Sequence, residues 1–341
     1  MRRTCTSHAT RYTTGMQILV TGGAGYIGSI TANTLIERGH QVVILDDLRT
    51  GHQAAIPRQA SFVHANVADR EAVARTLSAY DVDAIVHFAA SSLVGESMQD
   101  PLLYFGNNTG GTLNLLSEAL KHGVHRFVLS STAALYGTPS AVPIPENAPL
   151  QPESVYGESK YLIERMLRWL GETKGLGWTA LRYFNAAGAT PDRGEDHRPE
   201  SHLIPLVLQV ALGQRETIDI YGDDYDTPDG TAIRDYIHVL DLAEAHVAAV
   251  EALEPGGGTA YNVGTGRGYS VQEVISACRE VTGHPIPART IDRRPGDPPR
   301  LVADASKLAR DLGVTPKHSD LKSIVSSAWE WHKSRPDGYA D

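Results

Sequence analysis

The segment "QILVTGGAGYIGSITANTLIERG", from Gln17 to Gly39, limits the fold more than any other part of the chain. An apolar strand runs into a glycine-rich turn and then into an amphipathic helix closed by a glycine. The turn fits G-x-x-G-x-x-G through Gly22, Gly25 and Gly28, and G-x-G-x-x-G through Gly23, Gly25 and Gly28. Such glycines let the backbone approach a pyrophosphate, whose charge is favoured by the free amides and dipole of the helix start. The next strand, "QVVILD", ends in Asp46 and Asp47, close to the ~20-residue offset at which an acid holds an adenosine ribose. An acid there repels a 2'-phosphate, so the unit predicts NAD rather than NADP.

Further strand-like runs follow: "SFVHA" (61 to 65), "AIVHFA" (84 to 89), "RFVLSS" (126 to 131) and "TALRYF" (179 to 184), with helical patterns such as "GTLNLLSEALKHG" between them. That alternation predicts an α/β fold, a Rossmann-type doubly wound parallel sheet with helices on both faces. Residues 1–15 are polar and basic without the apolar core of a secretory signal, and read as an extension ahead of a fold that begins at Met16. Residues 16–188 form the expected NAD-binding unit. After that "GATPDRGEDHRPESH" breaks the alternation, so residues 189–234 and 266–341 are expected to form a smaller α/β substrate-binding domain, with 235–265 returning to the first.

Composition excludes several classes. A formal net charge of -9 over 341 residues leaves no basic face for a nucleic acid. No run of eighteen apolar residues predicts a membrane span. The two cysteines, Cys5 and Cys278, match neither a disulfide framework nor a zinc spacing, which suits a reducing cytoplasm. His197 and His202 lie five apart in a charged loop, and two histidines without a third ligand predict no metal site.

In "SVYGESK", residues 154 to 160, Tyr156 and Lys160 lie one helical turn apart. The apolar stripe of Ile163, Met166, Leu167 and Leu170 that follows has the i, i+3, i+4, i+7 spacing of a core-facing helix. Extended backwards, it puts Tyr156 and Lys160 on or beside the same face. Two readings follow. Lys160 extends its ammonium to water over apolar neighbours, or it is the electrostatic partner of a tyrosine base.

Taken together, "TGGAGYIG", "VHFAA", "SSTAALYG", "YGESK" and "YDTPDGTAIRDYIHVLDLAEAH" resemble the extended short-chain dehydrogenase/reductases of the NAD-dependent epimerase/dehydratase family, from about Met16 to the chain end. The resemblance implies an isomerase that interconverts UDP-glucose and UDP-galactose by transient oxidation at C4, turnover of the 4-keto sugar and return of the hydride. It implies Tyr156 as base, Lys160 as its charge partner and Thr132 as the hydroxyl on the reacting oxygen. A tyrosine with a reference pKa near 10 needs ~4 kcal/mol of anion stabilisation to act near neutral pH. NAD contacts are implied for Gly22, Gly25, Tyr26, Ile27, Gly28, Asp46, Asn66, Val67, Phe88, Ala89, Ala90, Asn107, Tyr156, Lys160 and Tyr183. Substrate contacts are implied for Thr132, Tyr156, Asn185, His202, Leu203, Tyr221, Arg234, Arg294 and Asp297.

Relatives that dehydrate or decarboxylate carry acids after the threonine, and this chain has Ala133 and Ala134, which leaves elimination without its catalyst. Asn66 stands where many members carry an Asp near the adenine, and Ser92 where some carry a Lys near the cofactor. Leu301 matches a position that sets the room at sugar C2, where tyrosine restricts the site to plain hexoses and a small residue admits N-acetyl groups. A UDP-N-acetylhexosamine or UDP-pentose 4-epimerase is the alternative, and a non-catalytic NAD-sensing regulator a second. The expected partners are a UDP-sugar and, by resemblance, a second copy of the chain in a homodimer.

Overall fold

Residues Ile18, Leu19 and Val20 are all fully buried, which a strand achieves only when both faces of its sheet are covered. A computed structural model describes residues 15–294 and 297–340. The expected extension over residues 1–14, with Cys5, lies outside the described residues. The large sheet contains β1 (Gln17–Thr21), β2 (Gln41–Asp46), β3 (Ser61–His64), β4 (Ala84–His87), β5 (Arg126–Thr132), β6 (Gly177–Tyr183) and, late in the chain, β10 (Gly258–Val263). Its order is β3-β2-β1-β4-β5-β6-β10, parallel throughout. The order reverses between β1 and β4, which opens a crevice at their carboxyl ends.

Alternation along each strand sends side chains to opposite cores. Ile18, Val20, Ile44 and Val86 pack with α1 (Tyr26–Glu37) and α8 (Val239–Ala252). Leu19, Val43, Leu45 and Ile85 pack with α2 (Arg70–Tyr80), α5 (Gly111–Lys121) and α6 (Val155–Lys174). Between β4 and α5 lie α3 (Val94–Gln99), α4 (Pro101–Tyr104) and a π-helical turn, Phe105–Gly110.

The remaining elements build a smaller body. β9 (Ile233–His238) pairs with β7 (Asn185–Ala187), β11 (Gly268–Ser270) and β13 (Arg300–Leu301), while β8 (Ile218–Tyr221) pairs with β12 (Ala288–Ile291). Its core joins these strands to α7 (Leu203–Ala211), α9 (Val271–Thr282) and α11 (Leu321–Ser334). β9 is paired within the small sheet but sends Ile237 into the large sheet's core, and α8, which follows it directly, packs on α1. α10 (Ser306–Leu312) also leaves the small body, burying Leu308 in the large sheet's core. Among the described residues no helix is long and apolar enough to cross a membrane.

Candidate active site

Helix α6 starts where Ser154 accepts the Gly157 amide at 3.1 Å, an N-cap that fixes the direction of the first turn. Glycine is required at position 157, since a Cβ there would stand 2.7 Å from the Ala134 carbonyl oxygen. That close approach sets Tyr156 beside the end of β5, where Thr132 sits. The Tyr156 amide donates to Ser97 Oγ at 3.1 Å, tying α6 to α3.

Lys160 is 1 % exposed, so it does not reach water over its neighbours. Its Nζ donates to the Ser130 carbonyl at 2.8 Å, and burial lowers its pKa to about 8. Burial pushes the Tyr156 phenol up from its ordinary value, opposed by a hydrogen bond from Thr132. Lys160 and Tyr156 line the same cleft as Thr132. Tyr183, hydrogen-bonded to Ser130 Oγ, is raised by burial and by Tyr156.

Behind these groups lies a buried network absent from the sequence reading. Glu164, one turn beyond Lys160, accepts Ser131 Oγ at 2.6 Å and Arg182 Nη2 at 2.6 Å. Arg182 Nη1 donates to Tyr136 Oη at 3.0 Å, and Tyr136 donates to Asn262 Oδ1 at 2.7 Å. Both partners of the ion pair are almost wholly buried. An arginine in the middle of an apolar central strand was the available signal.

All fifteen residues expected at NAD line one cleft over the carboxyl ends of β1 and β4, together with Thr132, Asn185 and His202. Gly22 has φ +72, and a Cβ on it would lie 2.5 Å from the Ala89 amide nitrogen, so the turn and the β4 end can meet only with glycine there. Asp46 accepts the Ala24 amide through Oδ2 and the Leu48 amide through Oδ1, both at 2.9 Å. Burial raises its pKa, and those amides oppose the rise. Asn66 holds Asp47 through Nδ2 at 2.6 Å, while its Oδ1 accepts the Ala68 amide at 2.7 Å and keeps a second lone pair. Asn107, in the π-helical turn, accepts Arg49 Nη2 at 3.1 Å. Arg49 also lines the cleft and was not foreseen. The glycine cradle, the acid at the end of β2 and the cleft between them fit NAD.

Leu203, Tyr221, Arg234, Arg294 and Asp297 do not line that cleft and sit on the small body. The Arg294 guanidinium lies 3.8 Å from the centre of the Tyr221 ring, and Arg234 pairs with Asp297. Leu301 is opposite Arg234 in the β13–β9 register and packs with Ala133 and Tyr136, next to the loop of Thr132. His197 and His202 do not stand alone, in contrast to the sequence expectation: Glu195 and Glu200 supply the third and fourth groups that could hold a metal.

Residues 18–264 match the NAD dependent epimerase/dehydratase family. A UDP-glucose 4-epimerase of Halalkalibacterium halodurans is 52% identical over 328 residues, which cover 95% of this chain and 98% of that relative. The crystal structure of UDP-glucose 4-epimerase from Brucella ovis in complex with NAD matches with a TM-score of 0.89 at 45% identity, covering 92% of this chain and 98% of that one. The Bifidobacterium longum UDP-glucose 4-epimerase in complex with NAD+ and UDP matches with a TM-score of 0.91 at 38% identity, over 95% and 100%.

Proposed function

The chain belongs to the NAD dependent epimerase/dehydratase family, and we infer that it works as an NAD-dependent isomerase that interconverts UDP-glucose and UDP-galactose at C4. The observation that carries the reading is the meeting of Thr132, Tyr156 and Lys160 in the cleft built by the glycine turn, with alanines at 133 and 134. Bound NAD supplies the acceptance and return of hydride at C4, and its positively charged ring adds to the Lys160 charge in favouring a phenolate. Tyr156 takes the proton of the 4-hydroxyl, and Thr132 hydrogen-bonds the same oxygen. Lys160, held on the Ser130 carbonyl, stays mostly protonated at neutral pH and keeps a fixed charge one turn from the phenol. The residues after Thr132 offer no second acid/base pair, so oxidation at C4 is followed by reduction rather than elimination.

The roles are divided between two bodies. Residues of the large sheet hold NAD, with Asp46 at the adenosine ribose and Gly22, Gly25 and Gly28 at the pyrophosphate. Asn185, His202, Leu203, Tyr221, Arg234, Arg294 and Asp297 hold the UDP moiety. Guanidinium forks suit a diphosphate, and the stacked Arg294–Tyr221 pair offers a ring platform for uracil. Leu301 packs beside the Thr132 loop and is intermediate in size between the tyrosine that restricts the site and the small residue that admits N-acetyl groups, so a UDP-N-acetylhexosamine is the second substrate to test. The chain works in the cytoplasm, in keeping with the free, buried Cys278.

The functional unit is a homodimer. Met98, Leu102 and Trp169 expose large apolar groups on α3, α4 and α6, a surface that a second copy would cover. Leu102→Glu should then sediment at half the wild-type mass, whereas a monomeric wild type contradicts the dimer. Incubation with single UDP-sugars and no added oxidant tests the reaction. UDP-glucose should yield UDP-galactose; turnover of UDP-N-acetylglucosamine alone would move the assignment to the second substrate. No turnover of any UDP-sugar would leave an NAD-binding regulator.

A further inference from the structure

One loop beside the cleft carries a cluster that the reaction does not use in full. Glu195, His197, Glu200 and His202 each present a ligand atom, and all four atoms lie within 4.8 Å of one another. His202 Nδ1 is 2.8 Å from Glu195 Oε1 and 2.8 Å from Glu200 Oε1, and His197 Nδ1 is 3.3 Å from Glu195 Oε1. The 3.3 Å separation is close to the roughly 3.4 Å edge of a tetrahedron whose metal–ligand bonds are about 2.1 Å, and the two 2.8 Å separations are about 0.6 Å shorter, so those atoms spread apart on binding.

The hydrogen-bond accounting also points to an ion. A single N–H at His202 Nδ1 faces two carboxylate oxygens, while His197 Nδ1 is buried and makes no hydrogen bond despite its approach to Glu195. Glu195 is 5 % exposed, a site where a carboxylate needs a cation. The loop is braced from outside as well. Asp196 accepts the Tyr339 amide at 2.9 Å and Arg198 Nη2 at 2.8 Å, and the Gly194 amide donates to Tyr339 Oη at 3.1 Å.

We propose that Glu195, His197, Glu200 and His202 form a binding site for one divalent transition-metal ion of the zinc type, which fixes the loop leading into α7. Two imidazoles with two carboxylates suit zinc, whereas calcium and magnesium favour all-oxygen sets. Two carboxylates and two neutral imidazoles balance a dication, and the proton carried by His202 in the metal-free site passes to solvent on binding. His202 meets the ion through Nδ1, which leaves Nε2 for the UDP moiety, so the proposal stands whichever UDP-sugar is the substrate.

The test uses the full chain with its bound NAD, stripped with a chelator, desalted, incubated with zinc chloride and desalted again before elemental analysis. About one zinc per chain is expected, with affinity reduced more than about tenfold in His197→Ala and in Glu200→Gln. Retained NAD and an unchanged circular dichroism spectrum establish that the variants fold. Should they not, cobalt(II) added to the wild type decides: visible bands of a four-coordinate nitrogen/oxygen site, removed by zinc, support the site, and their absence overturns it. Wild type that retains no zinc above buffer, or folded variants that retain as much as wild type, also overturns it.

Discussion

A phenol that burial has made harder to ionise is an unpromising base, and at the scale of single residues the chemistry depends on how Tyr156 overcomes this. Lys160 is too well buried to be a surface charge, yet its hydrogen bond goes to the Ser130 carbonyl. Its contribution is a fixed field, completed when a second positive charge binds. Replacing Tyr156 with Phe should lower turnover by ~10²–10⁴-fold while leaving the NAD content of the purified protein unchanged. Both are read from one preparation, by product analysis and by the nucleotide released on denaturation. Thr132 lowers the phenol's pKa, so its removal raises it, and a base must be unprotonated to act. Thr132→Val should therefore move the ascending limb of the pH–rate profile to higher pH; a limb that stays in place would show that the hydroxyl does not act on the phenol. The tyrosine, lysine and threonine were legible because each lies in a short contiguous motif. The cluster at Glu195 was not, since spacing along a loop does not tell where its side chains point.

Helix α6 shows what is legible at the scale of elements. Its stripe of Ile163 and Leu167 is buried as the spacing predicts, and the same face carries Lys160 and Glu164 inward. Glu164 carries no local signal of its role, because its partner, Arg182, is on a strand eighteen residues away. This buried pair joins α6, β5 and β6 directly behind the catalytic groups. Removing one member leaves a charge in the interior, so Arg182→Leu should cost about 3–5 kcal/mol, measured by denaturant unfolding. A loss below about 1 kcal/mol, the range of exposed pairs, would show that the network does not brace the site. The large sheet was legible because its strands are long apolar runs. The small sheet was not, since β7, β11 and β13 have only two or three residues, too few for a two-residue period to appear, and β9 could not be assigned without them.

The whole molecule holds several histidines in a neutral, buried state. Burial, helped by the Lys160 charge, lowers His87 to about 3; burial lowers His246 to about 4, and also His238 to about 4, against the pull of Asp241. In the unfolded chain these groups titrate near 6.5. Below that value the unfolded state binds more protons than the folded one, so their contribution is complete above about pH 6.5 and is lost as pH falls towards 3 to 4. Thermal unfolding midpoints should fall across that window, and His246→Leu should flatten the slope; an unchanged slope would remove His246 from this account.

The central claim concerns the assembled cleft, in which the C4 hydrogen leaves the sugar and returns to the same carbon without meeting solvent. UDP-galactose deuterated at C4 tests this most directly, with the product analysed by mass spectrometry and NMR. The account predicts UDP-glucose that retains the deuterium at C4, formed with no added oxidant. Product that has exchanged the label for solvent hydrogen, or that carries it at another carbon, would contradict it.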